Sequence, residues 1–287
     1  MIAHVAEASE ERGRVVVRTT SARASDIALQ AAVRIAQAFQ SEIESLYVED
    51  TELIALARFP FVREIGTRGT GARRITQEDI VRDLRCQFVG LHRRLSSLAT
   101  TAQVMVHERT VRDEPLRALS VTCADCGPWN LVVLAEPFSA SSGEEIRVLF
   151  DNVHDTTGLV LVGPRASRTT GPVVLALEDI EALPGMLRAG NRLIEGTETS
   201  LIIAIVAAEA ETASWIEANA RLALVDGSEV RILNLTKGLA NPASVAEALR
   251  QLQPGFLIAR FGGMVVPAEE DLSPLAAGLE CPLLLSR

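Results

Sequence analysis

Gly13-Arg14-Val15-Val16-Val17 and Gly171-Pro172-Val173-Val174-Leu175 open two stretches of chain that follow one pattern. Each starts with an apolar run short enough for a buried strand, followed by a helical segment and a second strand. In the first stretch the helix covers about 25–39. Its polar residues Asp26, Gln30, Arg34 and Gln37 recur every three or four positions, and the remainder is rich in alanine. A polar stripe that narrow suits a helix laid flat on a sheet. Further strands are expected at 41–48, 103–107, 130–135 and 158–163, with helices near 114–124 and 143–153. Ahead of the third strand, Thr76 to Asp79 gives a capping-box-like start to another helix. There Ile80, Leu84, Phe88, Leu91, Leu95 and Leu98 keep helical spacing.

The segment 164–171 is polar and turn-rich, and after it the pattern restarts. A helix is expected at 183–195, with Pro184 tolerated in its first turn. Then come a strand at 200–206, a helix at 209–223, a strand at 229–233, a helix from Asn241-Pro242 to Leu252, and strands at 256–259 and 282–285. Strands separated by helices imply crossover connections, parallel pairing and helices on both faces. The expected fold class is α/β, with two doubly wound, mainly parallel five-stranded sheets in tandem. The first unit spans 1–164 and carries an inserted Arg/Gly loop at 51–75; the second, shorter unit spans 165–287. A single undivided ten-strand domain is the competing reading, and the break at 164–171 weighs against it.

Bulk properties agree. A chain of 287 residues is comfortable for two domains, and with 48% apolar but only 4% aromatic residues its cores are aliphatic. The net charge of −9 argues against a general nucleic-acid binder, which would offer phosphates a basic surface. The longest apolar run, Leu201 to Ala208, is far short of the roughly 20 residues that cross a bilayer. The start Met1-Ile2-Ala3-His4 lacks a signal-peptide pattern, and four cysteines in so long a chain do not suggest a disulfide framework. A cytoplasmic location is expected, with no membrane or nucleic-acid partner.

The valine-rich first strand, the Ser/Ala-rich turn after it, the alanine-rich helix and the second strand ending Leu46-Tyr47-Val48 resemble a universal stress protein domain. Asn130 stands ahead of Leu131-Val132-Val133-Leu134 where that family usually has aspartate. Cys281-Pro282-Leu283-Leu284-Leu285 is similar to the family's last strand. Both units share the pattern, so the resemblance is to a tandem universal stress protein, of the adenine nucleotide alpha hydrolase-like class. It implies strand order 3-2-1-4-5 in each unit and pairing through the last strands. Then 158–162 and 282–285 would meet, making the monomer a pseudo-dimer. Physics gives the same motive, because an open apolar edge strand invites aggregation.

The resemblance also frames the ligand question. ATP-binding members carry a Gly-x-x-Gly, nine residues and a Gly-Ser or Gly-Thr after the fourth strand, because backbone amides must approach phosphates closely. In the first unit the only glycine between Ala135 and Thr157 is Gly143. In the second, Gly262 and Gly263 are adjacent and the next is Gly278. Neither satisfies the motif, so no cofactor is expected, and ATP or AMP is the alternative ligand. The acidic residue usual after the first strand is replaced by Arg18-Thr19-Thr20-Ser21, whereas Glu178 and Asp179 hold the equivalent place in the second unit. Ligands of doubly wound sheets settle where the strand order reverses. The binding candidates there are Thr19, Thr20, Ser21, Ser139, Ser141 and Ser142, whose hydroxyls can donate to phosphate or ribose oxygens; turn formation and helix capping are their structural alternative.

The segment 51–75 combines Arg58, Arg63, Arg68, Arg73 and Arg74 with Gly66, Gly69 and Gly71, a composition suited to a lid over an anion. Packing of Leu53, Leu56, Phe59 and Phe61 against the long helix or a partner subunit is the alternative. Cys123-Ala124-Asp125-Cys126 has metal or redox spacing but lacks a second ligand pair. His107-Glu108 fails as a zinc-protease motif because Val111 sits where a histidine is needed. There is no Gly-x-Ser-x-Gly elbow. With no catalytic or metal set in the sequence, the expected function is a non-catalytic, stress-associated or regulatory binding protein, forming a homo-oligomer and contacting a small molecule or another protein. A nucleotide-binding protein using a divergent crevice in the first unit, and an oligomerisation scaffold, are the other readings.

Overall fold

A computed structural model describes residues 13–19, 25–59, 61–65, 72–127, 130–134, 142–154, 156–224, 230–235, 242–268, 275 and 278–286. In chain order the first half runs β1 (Val15–Thr19), α1 (Asp26–Ala38), β2 (Ile43–Val48), α2 (Thr51–Leu56), β3 (Arg63–Ile65), β4 (Ala72–Arg74), α3 (Gln77–Thr101), β5 (Val106–Val111), α4 (Pro115–Cys126), β6 (Asn130–Leu134), α5 (Ser142–Asn152) and β7 (Thr156–Leu161). The second half runs β8 (Val173–Leu177), α6 (Leu183–Ile194), β9 (Leu201–Val206), α7 (Ala210–Ala223), β10 (Val230–Leu235), α8 (Pro242–Gln251), β11 (Phe256–Arg260) and β12 (Leu283–Ser286).

The two five-stranded sheets join through their last strands, as expected, into one continuous sheet. Ten strands run in the order β10-β9-β8-β11-β12-β7-β6-β1-β2-β5, parallel everywhere except at the central β12–β7 pair. Each half repeats the order 3-2-1-4-5, and the last strands meet with Leu283 opposite Leu161 and Leu285 opposite Leu159. Because that pair is antiparallel, the C-terminal strand ends of the two halves open on opposite edges of the sheet.

Helices cover both faces. One layer packs α1, α3, α6 and α7 on Val15, Val17, Ile43, Val173, Leu175 and Ile203; the other packs α4, α5 and α8 on Val16, Leu46, Val132, Val174 and Leu257. Both layers run through the junction. The segment 164–171 is held as well: the Ser167 and Arg168 amides donate to Glu280 O, and Arg34 of α1 reaches Thr169 O while stacking over the Phe256 ring at 5.1 Å.

Local signals account for the element ends. Thr76 and Asp79 form the expected capping box at α3. Glu114 caps α4 through the amides of Leu116 (2.9 Å) and Arg117 (3.0 Å), with Pro115 at its start. Two expectations need correction. The stretch 51–75 is not simply a loop, since it contains α2, capped by Asp50, and the antiparallel β3–β4 pair. The third strand begins at Val106 rather than 103, because Gln103 has φ 57 and turns the chain out of α3.

Candidate functional site

The strand order of the first half reverses between β1 and β6, and Thr19 ends β1 at that point. Thr19 is only 2% exposed, and its hydroxyl has no hydrogen-bond partner. Its neighbour across the ladder is Tyr47, and Ser45 lies two residues earlier on the same face. Both are buried, and neither hydroxyl has a partner. The Tyr47 ring stacks on Phe88 of α3 at 4.5 Å, and Phe88 in turn packs against His92 at 5.8 Å. Burial pushes the Tyr47 phenol up to about 12, aided by Glu49 and opposed by Arg85. The His92 Nε2 lies 3.3 Å from Ser96 Oγ and 3.5 Å from Glu108 Oε2, while its Nδ1 is buried and unpartnered. A buried polar group without a partner costs about 1–3 kcal/mol, so this cluster is where an added hydrogen-bonding group would gain most.

Of the six predicted residues, Thr19 alone can be placed in full. Thr20, Ser21, Ser139 and Ser141 lie outside the described residues, and Ser142 opens α5 with its side chain outside them. Ser45, Tyr47 and His92 escaped the sequence reading. The one available signal was a hydroxyl at alternate positions of an otherwise buried strand, Ile43 to Val48.

Beside this cluster the chain leaves β2 through Glu49, a carboxylate only 2% exposed. It accepts from Arg85 Nε at 2.7 Å and from Arg112 Nε at 2.8 Å. Burial pulls the Glu49 carboxyl up, but the two arginine hydrogen bonds outweigh it and hold the group below its ordinary range. A carboxyl depressed in the folded state adds stability above its unfolded pKa and loses it as pH falls through the folded value. Glu49→Gln is therefore expected to cost about 1–2 kcal/mol at neutral pH, discounted because both arginines are more than half exposed. Urea titrations of both proteins should converge as pH falls below the carboxylate range; a gap that persists in acid would refute the assignment.

Among its described residues, the Arg/Gly segment packs at its base, where Ile54, Ala57 and Ile80 form a small cluster with Leu53, Ile75, Val81 and Leu84 around them. Leu56, Phe59 and Phe61 are exposed, with the two phenylalanine rings 5.5 Å apart.

In the second half the reversal falls between β8 and β11. Glu178 follows β8, and its carboxylate accepts from the backbone amides of Met264 and, at 2.8 Å, Val265. Those amides belong to the turn after β11, where Gly262 has φ 86 and donates to Val266 O at 2.8 Å. A Cβ on Gly263 would collide with the Glu178 carboxylate, so this glycine lets the two segments close. Burial raises the Glu178 pKa against the opposing pull of the two amides and Arg260. Asp179 accepts from the Glu181 amide at 3.1 Å and pairs with Arg260 at 3.4 Å. Both carboxylates that follow β8 are thus held by their own chain.

Cys123 is buried in α4, and Cys126 ends that helix with its thiol pKa raised, chiefly by burial. His107 contacts Glu42 at 2.8 Å. Among the described residues no three His, Cys, Asp or Glu side chains gather as metal ligands would, and no helix is long and apolar enough to cross a membrane.

With the two reversal points placed, the whole chain can be compared with known proteins. A universal stress protein from Archaeoglobus fulgidus DSM 4304 superposes with TM-score 0.57 at 10% identity, covering 95% of this chain and 96% of that one. The fold is that of universal stress proteins. A putative universal stress protein from Pseudomonas aeruginosa UCBPP-PA14 matches the same universal-stress arrangement (TM-score 0.53, 11% identity, 97% and 94% covered). So does the cytoplasmic domain of a prokaryotic cation chloride cotransporter (TM-score 0.55, 14% identity, 96% and 95% covered). No protein-family model and no curated protein matches the sequence. The universal-stress fold is thus carried here by a sequence only 10–14% identical to those three chains.

Proposed function

We propose that the chain is a non-catalytic regulatory binding protein of universal-stress type, acting in the cytoplasm as a homo-oligomer. Its two units would have different tasks: residues 1–164 take a small polar ligand, and 165–287 complete the sheet and the assembly. The observation that carries this reading is the asymmetry of the reversal points. At the first, the Thr19 hydroxyl is buried with nothing to bond. At the second, Glu178 takes up the backbone amides that an external anion would need. The cotransporter domain supports a regulatory reading at the level of fold, because a chain of similar length and arrangement serves there as the cytoplasmic part of a larger protein. Fold alone does not fix function, so the ligand must be found by experiment.

The buried hydroxyls also favour a second reading, in which the ligand of the first unit is ATP or AMP held without the glycine motif. One experiment separates the two. The purified protein is melted with ATP, ADP, AMP and cyclic nucleotides, and its denatured supernatant is searched by mass spectrometry for a copurified small molecule. A ligand at 100 times its Kd stabilises by about 2.7 kcal/mol, an easily seen shift. The expected result is a copurified or stabilising polar ligand whose effect is lost in Thr19→Val, with no ATP turnover. Steady ATP hydrolysis would refute the non-catalytic reading, and a shift with nucleotides alone would establish the second.

A further inference from the structure

We infer that the outer face of α7 is a self-association surface, through which two copies of the chain pair about a two-fold axis. This rests on the reading of the chain as a homo-oligomer and assigns that assembly a surface. Helix α7 buries Ala213, Ile216 and Ala220 against the sheet. On its opposite side Trp215, Ala218 and Leu222 fall three and four positions apart and so share one face. All three are exposed, Trp215 by 56% and Leu222 by 85%. Single exposed apolar side chains are common, but a tryptophan and a leucine aligned on one helix face make a contiguous patch of the kind that marks contacts. Tryptophan is also enriched among the residues that dominate interface energies.

The matching helix of the first half is built differently. Helix α3 likewise leads into the third strand of its unit, and its outer face carries Arg82, Cys86, Val89 and Arg93. Charge protects that face, whereas the face of α7 is apolar. Helix α7 also packs on β9 and on β10, the end strand of the sheet, which puts it at the molecule's edge, away from the seam. It is fixed there by Glu217, which accepts from Asn234 Nδ2 of β10 at 2.6 Å.

Charge selects the occupant. The cation of α7, Arg221, is already bonded to Glu217 at 2.6 Å, and the chain carries a net charge of −9. An anionic membrane or an acidic peptide therefore gains no ion pair here. A second copy fits. Antiparallel packing about a two-fold near Ala218 sets Trp215 of each copy against Leu222 of the other, and the small Ala218 lets the helices approach. The charge on the same face, Glu211, then lies roughly 20 Å from its counterpart at about 1.5 Å rise per residue, well past the ~8 Å screening length. Parallel packing would bring the two glutamates together. One helix pair makes a small interface, so the dissociation constant should be on the order of micromolar.

The test is sedimentation velocity of the full chain across the micromolar range, with the variants Leu222→Glu and Trp215→Lys. Both positions are exposed, so melting temperature and circular dichroism should stay as in wild type. Each variant alone should weaken self-association by about tenfold or more. Leu222→Ser, which adds no charge, repeats the measurement should Leu222→Glu disturb the fold. An equimolar mixture of Leu222→Glu and Trp215→Lys should regain a dimer. In that pair one contact joins the introduced carboxylate to the introduced ammonium, and the other is the native tryptophan–leucine contact. Val89→Glu on α3 should sediment as wild type. Trp215 emission, read in a Trp129→Phe background, should move to the blue as concentration rises. A wild type that stays monomeric throughout sinks the homo-oligomer reading and this surface with it. If the wild type associates and the α7 variants associate equally well, or if Val89→Glu is the variant that dissociates it, oligomerisation stands and the α7 assignment is wrong. A mixture that stays monomeric refutes the antiparallel pairing.

Discussion

Replacing Gly158 by valine should lower the unfolding free energy of the entire molecule, read from urea titration, by about 3 kcal/mol or more, because it forces side-chain volume into a packed strand junction. Gly158 sits in β7, opposite Leu131 of β6 on one side and Ser286 of β12 on the other. A Cβ there would lie 2.9 Å from Leu131 Cδ2, 2.9 Å from the Leu285 carbonyl oxygen and 3.3 Å from Leu284 Cδ1. The leucine side chains can yield, but the carbonyl is backbone and belongs to the strand pairing itself. Relief would have to separate β7 from β12, the one antiparallel pair that joins the halves of the large sheet. Both core layers cross that seam, so separating it should weaken both halves together. Equilibrium unfolding followed by fluorescence and circular dichroism should stay a single transition in Gly158→Ala, with a smaller loss of about 1–3 kcal/mol. A valine variant as stable as wild type would show that the seam is not tightly packed.

The architecture was legible because the alternation of apolar strands and helices is periodic and repeats. Apolar last strands also announced the seam, since an edge of Leu159, Val160 and Leu161 cannot be left in water. Reading failed where order depends on partners far along the chain. Strand β5 carries His107, Glu108, Arg109 and Thr110 in succession, which is polar for a strand. It is an edge strand whose charges pair inward, His107 with Glu42 and Arg109 with Glu44. Helix α2 has six residues, too few for a periodic signal, and is announced only by its Asp50 cap. The candidate site was least legible. Thr19 was found because it closes a strand at a reversal point, but the burial of Ser45, Tyr47 and His92 depends on where α3 lies. The Glu178 contact joins segments more than 80 residues apart, so no local pattern encodes it.

Asn130 shows how a single departure from the universal-stress pattern can be tied to geometry, and it carries the second large effect. The residue opens β6 at 1% exposure. Its Oδ1 accepts the Arg14 amide at 2.9 Å, while its Nδ2 donates to the carbonyls of Cys123 at 2.9 Å and Gly127 at 3.0 Å. One acceptor and two donors are required, and only an amide of this length supplies them. Asn130→Asp, which restores the residue usual in the resembling family, keeps the acceptor but turns lone pairs toward two carbonyls. At pH 7 it should cost about 3–4 kcal/mol, from the two hydrogen bonds lost to the Cys123 and Gly127 carbonyls and a charge desolvated beside them. Asn130→Ala should cost a similar amount by removing all three hydrogen bonds. The two variants differ in acid. Burial and the facing carbonyls raise the introduced carboxyl above its unfolded pKa of about 3.9, so the folded state binds the extra proton first. The Asp penalty is then full above the folded pKa and shrinks as pH falls toward the unfolded value, where the new O–H can donate to one carbonyl. The Ala penalty has no proton to gain and should not change with pH. Urea midpoints for both variants between neutral and mildly acidic pH will decide it: parallel curves would mean that the Asn130 amide is not the donor to Cys123 and Gly127.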